Sequence, residues 1–154
     1  MATITIGQTA PDFSLYNTNK EKVTLSKLQG KKILLLFFPA AFTGVCTTEL
    51  CSIRDGIADY NALQTTVFGI SVDSLFTLAK FKEEQKLNFD LLSDFNATAC
   101  ESYGCKYDNF VFDMQNVCKR SAFVIDENLK IIYAEILESA GDLPHFDAIK
   151  QVLN

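Results

Sequence analysis

Two short runs of apolar residues, each the length of a β-strand, flank a helix-like stretch in the first half of the chain. The runs cover residues 31–38 (KKILLLFF) and 66–72 (TVFGISV). Continuous apolar runs of this length are typical of central strands that are covered on both faces. Between them, residues 47–63 carry apolar side chains at spacings of three and four, which predicts an amphipathic helix. The sequence therefore predicts a β-α-β unit.

The rest of the chain continues the alternation of strands and helices. Residues 73–87 begin with the capping pair Asp73–Ser74 and predict a second helix, and Asp94 is placed to cap a shorter one. Residues 120–126 and 130–136 predict a hairpin of two strands, and Pro144 opens a final helix. The expected fold is α/β with a central mixed sheet flanked by helices. Since no repeat or linker divides the chain, we expect one domain over residues 1–154.

Composition excludes several classes of partner and location. The 154 residues carry a net charge of −5 and no cluster of lysines or arginines, which argues against nucleic acid as a partner. The longest apolar run, residues 33–41, is far short of the roughly 20 residues that span a bilayer. Residues 1–13 lack the pattern of a secretory signal, so a cytoplasmic protein is expected. In a reducing compartment, five cysteines indicate buried thiols, a metal site or redox catalysis rather than a disulfide framework.

One cysteine stands where a helix is predicted to begin. Cys46 follows the first buried strand and a turn that contains Pro39 and Gly44. Unpaired backbone N–H groups and the helix dipole stabilise a thiolate at such a position, and a thiolate is a nucleophile. Thr43 supplies a hydroxyl three residues before the sulfur, and Gly44 permits a close backbone approach or a positive φ. These residues together predict a small anion-binding pocket.

The segment 39–46, PAAFTGVC, resembles the P-x-x-x-T-x-x-C active-site motif of the peroxiredoxins. Residues 7–13 (GQTAPDF) and 119–126 (KRSAFVID) are also similar to that family, and the likeness extends over nearly the whole chain. The resemblance implies a thioredoxin-like fold and a peroxidase that reduces hydrogen peroxide and organic hydroperoxides. It further implies no metal, haem or flavin cofactor, recycling by a thioredoxin- or glutaredoxin-like partner, and a homodimer that pairs through loops around the active site.

The resemblance also implies a role for each matching residue. Cys46 would be the peroxidatic nucleophile, which attacks the peroxide and becomes a sulfenic acid. Arg120, which keeps its charge at neutral pH, would stabilise the thiolate and polarise the O–O bond, and Thr43 would complete the site. Pro39 would shield the sulfur from water. Glu49 would have a supporting role, since it matches the family glutamate that orients the arginine.

The thiol that would resolve the sulfenic acid is left open by the sequence. The spacing of Cys46 and Cys51 (CTTELC) resembles the bacterioferritin-comigratory or Q-type branch, in which the second cysteine can resolve. Five residues of helix rise about 7.5 Å, so bonding the pair requires the helix start to unwind. Residues 39–46 and 91–95 look more like the one-cysteine AhpE-type branch, in which an outside thiol resolves. Cys100 and Cys105 are weaker candidates for resolving Cys46.

Two rival functions are weighed against a peroxidase. A thioredoxin-like protein disulfide reductase would carry C-x-x-C at the helix start, and that motif is absent. A cysteine-rich zinc-binding protein fits poorly, because the cysteine spacings meet the usual ligand pairs only at their edge. Phe42, Phe110 and Phe112 lie in loop-like stretches and are candidates for a substrate entrance or a dimer contact.

Overall fold

All strands within residues 3–154, the part of the chain that a computed structural model describes, belong to one seven-stranded sheet. The strands are β1 Ser14–Asn17, β2 Lys22–Thr24, β3 Lys32–Phe37, β4 Thr65–Ser71, β5 Asp90–Ser93, β6 Ser121–Ile125 and β7 Ile131–Ile136. Their order across the sheet is β2-β1-β5-β4-β3-β6-β7. β3 pairs in parallel with β4, and β4 with β5, whereas the remaining pairs are antiparallel. The expectation of a mixed sheet flanked by helices is confirmed.

Five α-helices in the same part of the chain accompany the sheet. They are α1 Gly44–Asp55, α2 Ile57–Ala62, α3 Leu75–Gln85, α4 Thr98–Ser102 and α5 Phe146–Leu153. The prediction of one helix over residues 47–63 was wrong, because Gly56 leaves helical geometry at φ −102° and ψ 15° and separates α1 from α2. Glycine is a weak helix former, so a break there costs little. The final helix begins at Phe146, two residues after Pro144.

Two predicted caps have the expected partners. The Ser74 hydroxyl accepts a hydrogen bond from the Thr77 N–H and caps α3. The Asp94 carboxylate accepts hydrogen bonds from the N–H groups of Ala99 and Cys100, at 2.9 and 2.8 Å, and so satisfies the start of α4.

The sheet separates two hydrophobic clusters. Along β3, Leu34 and Leu36 pack into one cluster, while Ile33, Leu35 and Phe37 pack into the other. This alternation follows from the two-residue period of a strand. Buried residues of α1, α3 and α5 belong to the Leu34 cluster, and those of α4 belong to the other. No helix within residues 3–154 has the length and apolar character needed to cross a membrane.

Candidate active site

The turn between β3 and α1 places Cys46 at the start of the helix. Phe38 continues β3 by donating its N–H to the Ile70 carbonyl at 2.9 Å. The Ala41 N–H then donates to Asp73 Oδ2 at 2.8 Å, which ties the turn to the end of β4. The left-handed residue of the turn is Phe42, with φ 67°, so the positive φ that we considered for Gly44 lies two residues earlier. Cys46 is the third residue of α1 and is buried.

A buried arginine contacts the Cys46 thiol directly. Arg120 Nη2 donates to Cys46 Sγ at 3.0 Å and to the Ala140 carbonyl at 3.1 Å. Arg120 Nη1 donates to Glu49 Oε1 at 2.6 Å, and the side chains of this pair are 1% and 0% exposed. Because Glu49 follows Cys46 by three residues on α1, one helix face presents both groups to the guanidinium. Arg120 therefore joins the sulfur, the helix and the loop around Ala140.

Burial is the largest single influence on the pKa values of Glu49 and Arg120. Burial raises the pKa of Glu49 to about 7, although the charge and the hydrogen bond of Arg120 act in the opposite direction. Burial alone would lower the pKa of Arg120, but the nearby Glu49 and Cys46 raise it above its ordinary value. Among the described residues, Glu49 Oε2 and Arg120 Nε are buried without a hydrogen-bond partner. The guanidinium thus remains a fixed cation beside the sulfur.

The four residues predicted to be catalytic line a single cavity of about 370 Å³. Pro39, Thr43, Cys46 and Arg120 form one part of its wall, and Glu49 lies behind Arg120. A second part of the wall is apolar and consists of Phe110, Val111, Phe112 and Met114. Phe110 and Phe112, both candidates for a substrate entrance, are therefore at the cavity, whereas Phe42 packs on Phe81 with ring centroids 5.1 Å apart.

Thr43 occupies the N-cap position of α1 without capping through its side chain. Its Oγ1 donates instead to the Ala40 carbonyl at 2.7 Å. A hydroxyl has one proton and two lone pairs, so a Thr43 Oγ1 that donates to Ala40 can still accept a hydrogen bond from a ligand. The first backbone N–H groups of α1 are likewise left for a ligand at the helix start. The cavity can accordingly hold a small polar group against the sulfur.

The other cysteines lie away from this cavity. Cys51 is half-buried on α1, and its thiol donates to Gln85 Oε1 at 3.5 Å. Cys100, Cys105 and Cys118, here called the thiol cluster, are fully buried in the hydrophobic cluster on the opposite side of the sheet from Cys46. Burial raises the pKa of Cys105 and Cys118 above the ordinary thiol value. All five cysteines are free.

Part of the thiol cluster has the composition of a metal site. Ligand atoms of Asp94, Cys100 and Cys118 lie within 4.8 Å of one another. Both carboxylate oxygens of Asp94, however, already accept backbone N–H groups at the start of α4. A metal would also need Cys118 as a thiolate, and burial raises the pKa of that thiol. These residues fit a closed helix cap better than a metal centre.

The Ala140 carbonyl is part of the site, although the sequence did not predict it. This carbonyl shares Arg120 Nη2 with the sulfur, and Ala140 and Gly141 both line the cavity. A backbone carbonyl carries no side-chain signal, so only the hairpin prediction, which brings the segment after β7 back towards Arg120, could have indicated it. The Leu137 N–H donates to the Arg120 carbonyl at 2.9 Å and holds this segment in place.

A protein-family model, related sequences and a solved structure all match this chain over most of its length. The model of the AhpC/TSA family matches residues 6–134. The chain is 37% identical over 129 residues to a putative peroxiredoxin bcp of Haemophilus influenzae, and the match covers 83% of each chain. It is 36% identical over 126 residues to peroxiredoxin Bcp of Escherichia coli, with 81% of each chain covered. The crystal structure of peroxidoxin BcpB from Mycobacterium tuberculosis matches with a TM-score of 0.84 at 31% identity, covering 96% of this chain and 95% of that one.

Proposed function

The chain belongs to the AhpC/TSA family, the peroxiredoxins, and on that premise we propose that Cys46 is its peroxidatic cysteine. The protein is a thiol-dependent peroxidase that reduces hydroperoxides. The observation that carries the assignment to Cys46 is the 3.0 Å hydrogen bond from Arg120 Nη2 to its sulfur, within the cavity at the start of α1. None of the other four cysteines, all of which lie within residues 3–154, lines that cavity.

The reaction proceeds by displacement at oxygen. The Cys46 thiolate attacks the terminal oxygen of the hydroperoxide, an S–O bond forms and the O–O bond breaks. Sulfur is oxidised to a sulfenic acid that keeps the hydrogen of the attacked oxygen, and the departing oxygen takes a proton from solvent to leave as water or an alcohol. Negative charge moves from sulfur to the departing oxygen, so fixed donors around the cavity stabilise the transition state. Arg120 Nη2 is such a donor, because it already contacts the sulfur.

Three further residues support this chemistry. Glu49 positions Arg120 through its 2.6 Å hydrogen bond to Nη1. Thr43 Oγ1 accepts a hydrogen bond from the O–H of the hydroperoxide, since its own proton is directed to the Ala40 carbonyl. Pro39 covers one side of the cavity and limits access of water to the sulfur.

We propose Cys51 as the thiol that resolves the Cys46 sulfenic acid. Cys51 is on the same helix and is half-buried, whereas Cys100 and Cys105 are fully buried on the other side of the sheet. In the reduced protein α1 is continuous through both residues, so the disulfide forms only after the first turns of α1 unwind. Sulfenic acid and thiol then condense to a disulfide with release of water.

The remaining proposals concern the setting of the enzyme. We propose that residues 1–154 work as one thioredoxin-like catalytic domain in the cytoplasm, and that a thioredoxin- or glutaredoxin-like protein reduces the oxidised enzyme. We also propose a homodimer. Its support is a surface that exposes the aromatic rings of Tyr16, Phe76 and Phe95 around a second cavity of about 420 Å³. Sedimentation velocity of the reduced protein tests this, and a single species of 17.2 kDa would contradict it.

Peroxide consumption with matched variants tests the assignment of Cys46. Reduced protein is mixed with hydrogen peroxide and dithiothreitol, and the remaining peroxide is measured over time. Cys46→Ser is expected to abolish consumption. Cys105→Ala, which removes an equally buried thiol from the opposite side of the sheet, is expected to retain it. Equal rates for Cys46→Ser and the unmodified protein would refute the assignment.

A further inference from the structure

The second half of α1 is bonded to Gln85, the last residue of α3. The Arg54 guanidinium donates from Nη1 to the Gln85 carbonyl at 2.5 Å, and the Cys51 thiol donates to Gln85 Oε1 at 3.5 Å. Cys51 and Arg54 are three residues apart on α1 and therefore share a face of the helix. Asn88 Nδ2 adds a bond to the Arg54 carbonyl at 3.2 Å. Gln85 thus contacts α1 with both its backbone and its side chain.

The first turn of α1 is held less firmly. Gly44, the first residue of the helix, is a weak helix former, and the side chain of Thr43 does not cap the helix. The Thr47 hydroxyl bonds back to the Thr43 carbonyl at 2.8 Å, a pattern that slightly destabilises a helix. When α1 unwinds, the first turn is therefore the part that opens most readily.

Contacts on both sides of Cys51 keep it in place when that turn opens. Before it, the Glu49 carboxylate is bonded to Arg120 at 2.6 Å and both side chains are buried. After it, Arg54 is bonded to the Gln85 carbonyl. The thiol itself is oriented by its bond to Gln85 Oε1. Unwinding of the first turn therefore moves Cys46 and leaves the sulfur of Cys51 where it is.

We propose that Arg54 and Gln85 are positioning residues for the resolving step, because they hold the Cys51 thiol at one place where the Cys46 sulfenic acid can meet it. This inference rests on the roles of Cys46 and Cys51 proposed above. An S–S bond forms, the S–O bond of the sulfenic acid breaks, and the departing hydroxide takes the thiol proton of Cys51 to leave as water. Holding one of the two reacting groups in place lowers the entropy that is lost on reaching the transition state.

A single time course separates this step from the oxidation that precedes it. Reduced protein is mixed with one equivalent of hydrogen peroxide and quenched with acid at intervals. Intact mass spectrometry then counts the sulfenic acid, which has gained an oxygen, and the disulfide, which has lost two hydrogens. Arg54→Gln and Gln85→Leu each remove one of the two bonds between α1 and Gln85. Each is expected to slow disulfide formation about tenfold and to leave oxidation of Cys46 unchanged.

Two matched variants control for the charge and for the helix. Arg54→Lys keeps a cation that can donate to the Gln85 carbonyl, so it should retain most of the rate of disulfide formation. Lys80→Gln removes an exposed cation of α3 that pairs with Glu83 on the same helix. It should change neither rate.

Excess peroxide gives a second readout. A sulfenic acid that does not meet Cys51 is oxidised by another peroxide to a sulfinic acid. In Arg54→Gln, slower resolution should therefore lower the peroxide concentration at which half of Cys46 becomes sulfinic acid, by the same factor as the rate. General loosening of α1 would have the opposite effect, because it would help Cys46 to reach Cys51.

Other results would overturn the proposal. Unchanged disulfide formation in both variants would show that these bonds do not position Cys51, and faster formation would show that they restrain it. Equal slowing of Cys46 oxidation and disulfide formation would mean that the variants disturb the Cys46 site instead. An unmodified protein that stops at the sulfenic acid would refute the role of Cys51 and this proposal with it, whereas one whose Cys46 is not oxidised would refute the assignment of Cys46 itself.

Discussion

The Glu49 carboxyl should make the stability of the protein fall as pH rises towards neutrality. Its pKa is about 7 in the folded protein, against 4.5 for an exposed glutamate. Between these values the folded protein holds the proton that the unfolded chain has released, so the free energy of unfolding decreases with pH. The stabilisation is complete below pH 4.5 and lost above pH 7. Over that window it amounts to about 3 kcal/mol.

A pair of variants isolates this contribution. The single variant is Cys46→Ser, and the double variant carries Glu49→Gln in addition. Both are unfolded with urea at pH values from about 4 to about 8, a range that spans the pKa of Glu49 in the unfolded and the folded state. Far-UV circular dichroism follows the unfolding transition. The serine removes the Cys46 thiol from both proteins, and the Glu49→Gln change keeps the size of the side chain without its proton equilibrium. We expect the stability of the single variant relative to the double variant to fall by about 3 kcal/mol as pH rises. A difference that is constant with pH, or that grows, would show that folding does not raise the pKa of Glu49.

Three further outcomes follow from the site. Arg120→Lys should lower the rate constant for Cys46 oxidation about 100-fold, because a lysine ammonium cannot bond Cys46, Glu49 and the Ala140 carbonyl in one geometry. Quenched-flow measurement of Cys46 oxidation checks this, and a decrease of less than about threefold would contradict it. Cys51→Ser should leave Cys46 oxidation unchanged but stop at the sulfenic acid, whereas the unmodified protein should lose two hydrogens and link the two cysteines in peptide mapping. Protein purified without chelators should contain no stoichiometric zinc by elemental analysis, because the Asp94 oxygens are engaged at α4; one zinc per chain that is lost on mutation of the thiol cluster would overturn this interpretation.

The sequence signals that proved reliable were those with many consistent residues. The apolar runs at β3 and β4 and the hairpin of β6 and β7 were predicted within one or two residues, because long buried strands need unbroken apolar segments. The first turn of α1 was also predicted correctly. The β1–β2 pair and β5 were not predicted, since strands of three or four residues are too short to display a period and their pairing depends on distant partners.

The side chains that form the site were predicted from the sequence, whereas its backbone features were not. The motif at 39–46 and the resemblance around Arg120 named the residues that line one cavity, although 74 positions separate Cys46 from Arg120. Two features required coordinates. The Ala140 carbonyl has no side chain to signal it, and the left-handed backbone at Phe42 is adopted by a residue type that rarely does so.

Mapping the first product of peroxide oxidation shows directly whether Cys46 is the peroxidatic cysteine. Fully reduced protein is exposed to one equivalent of hydrogen peroxide with a sulfenic-acid trap present, and the modified peptides are identified by mass spectrometry. We expect Cys46 to be modified first, either as the trapped sulfenic acid or as its disulfide with Cys51. Cys46 remaining a free thiol while peroxide is consumed, or a first product on the thiol cluster, would contradict it.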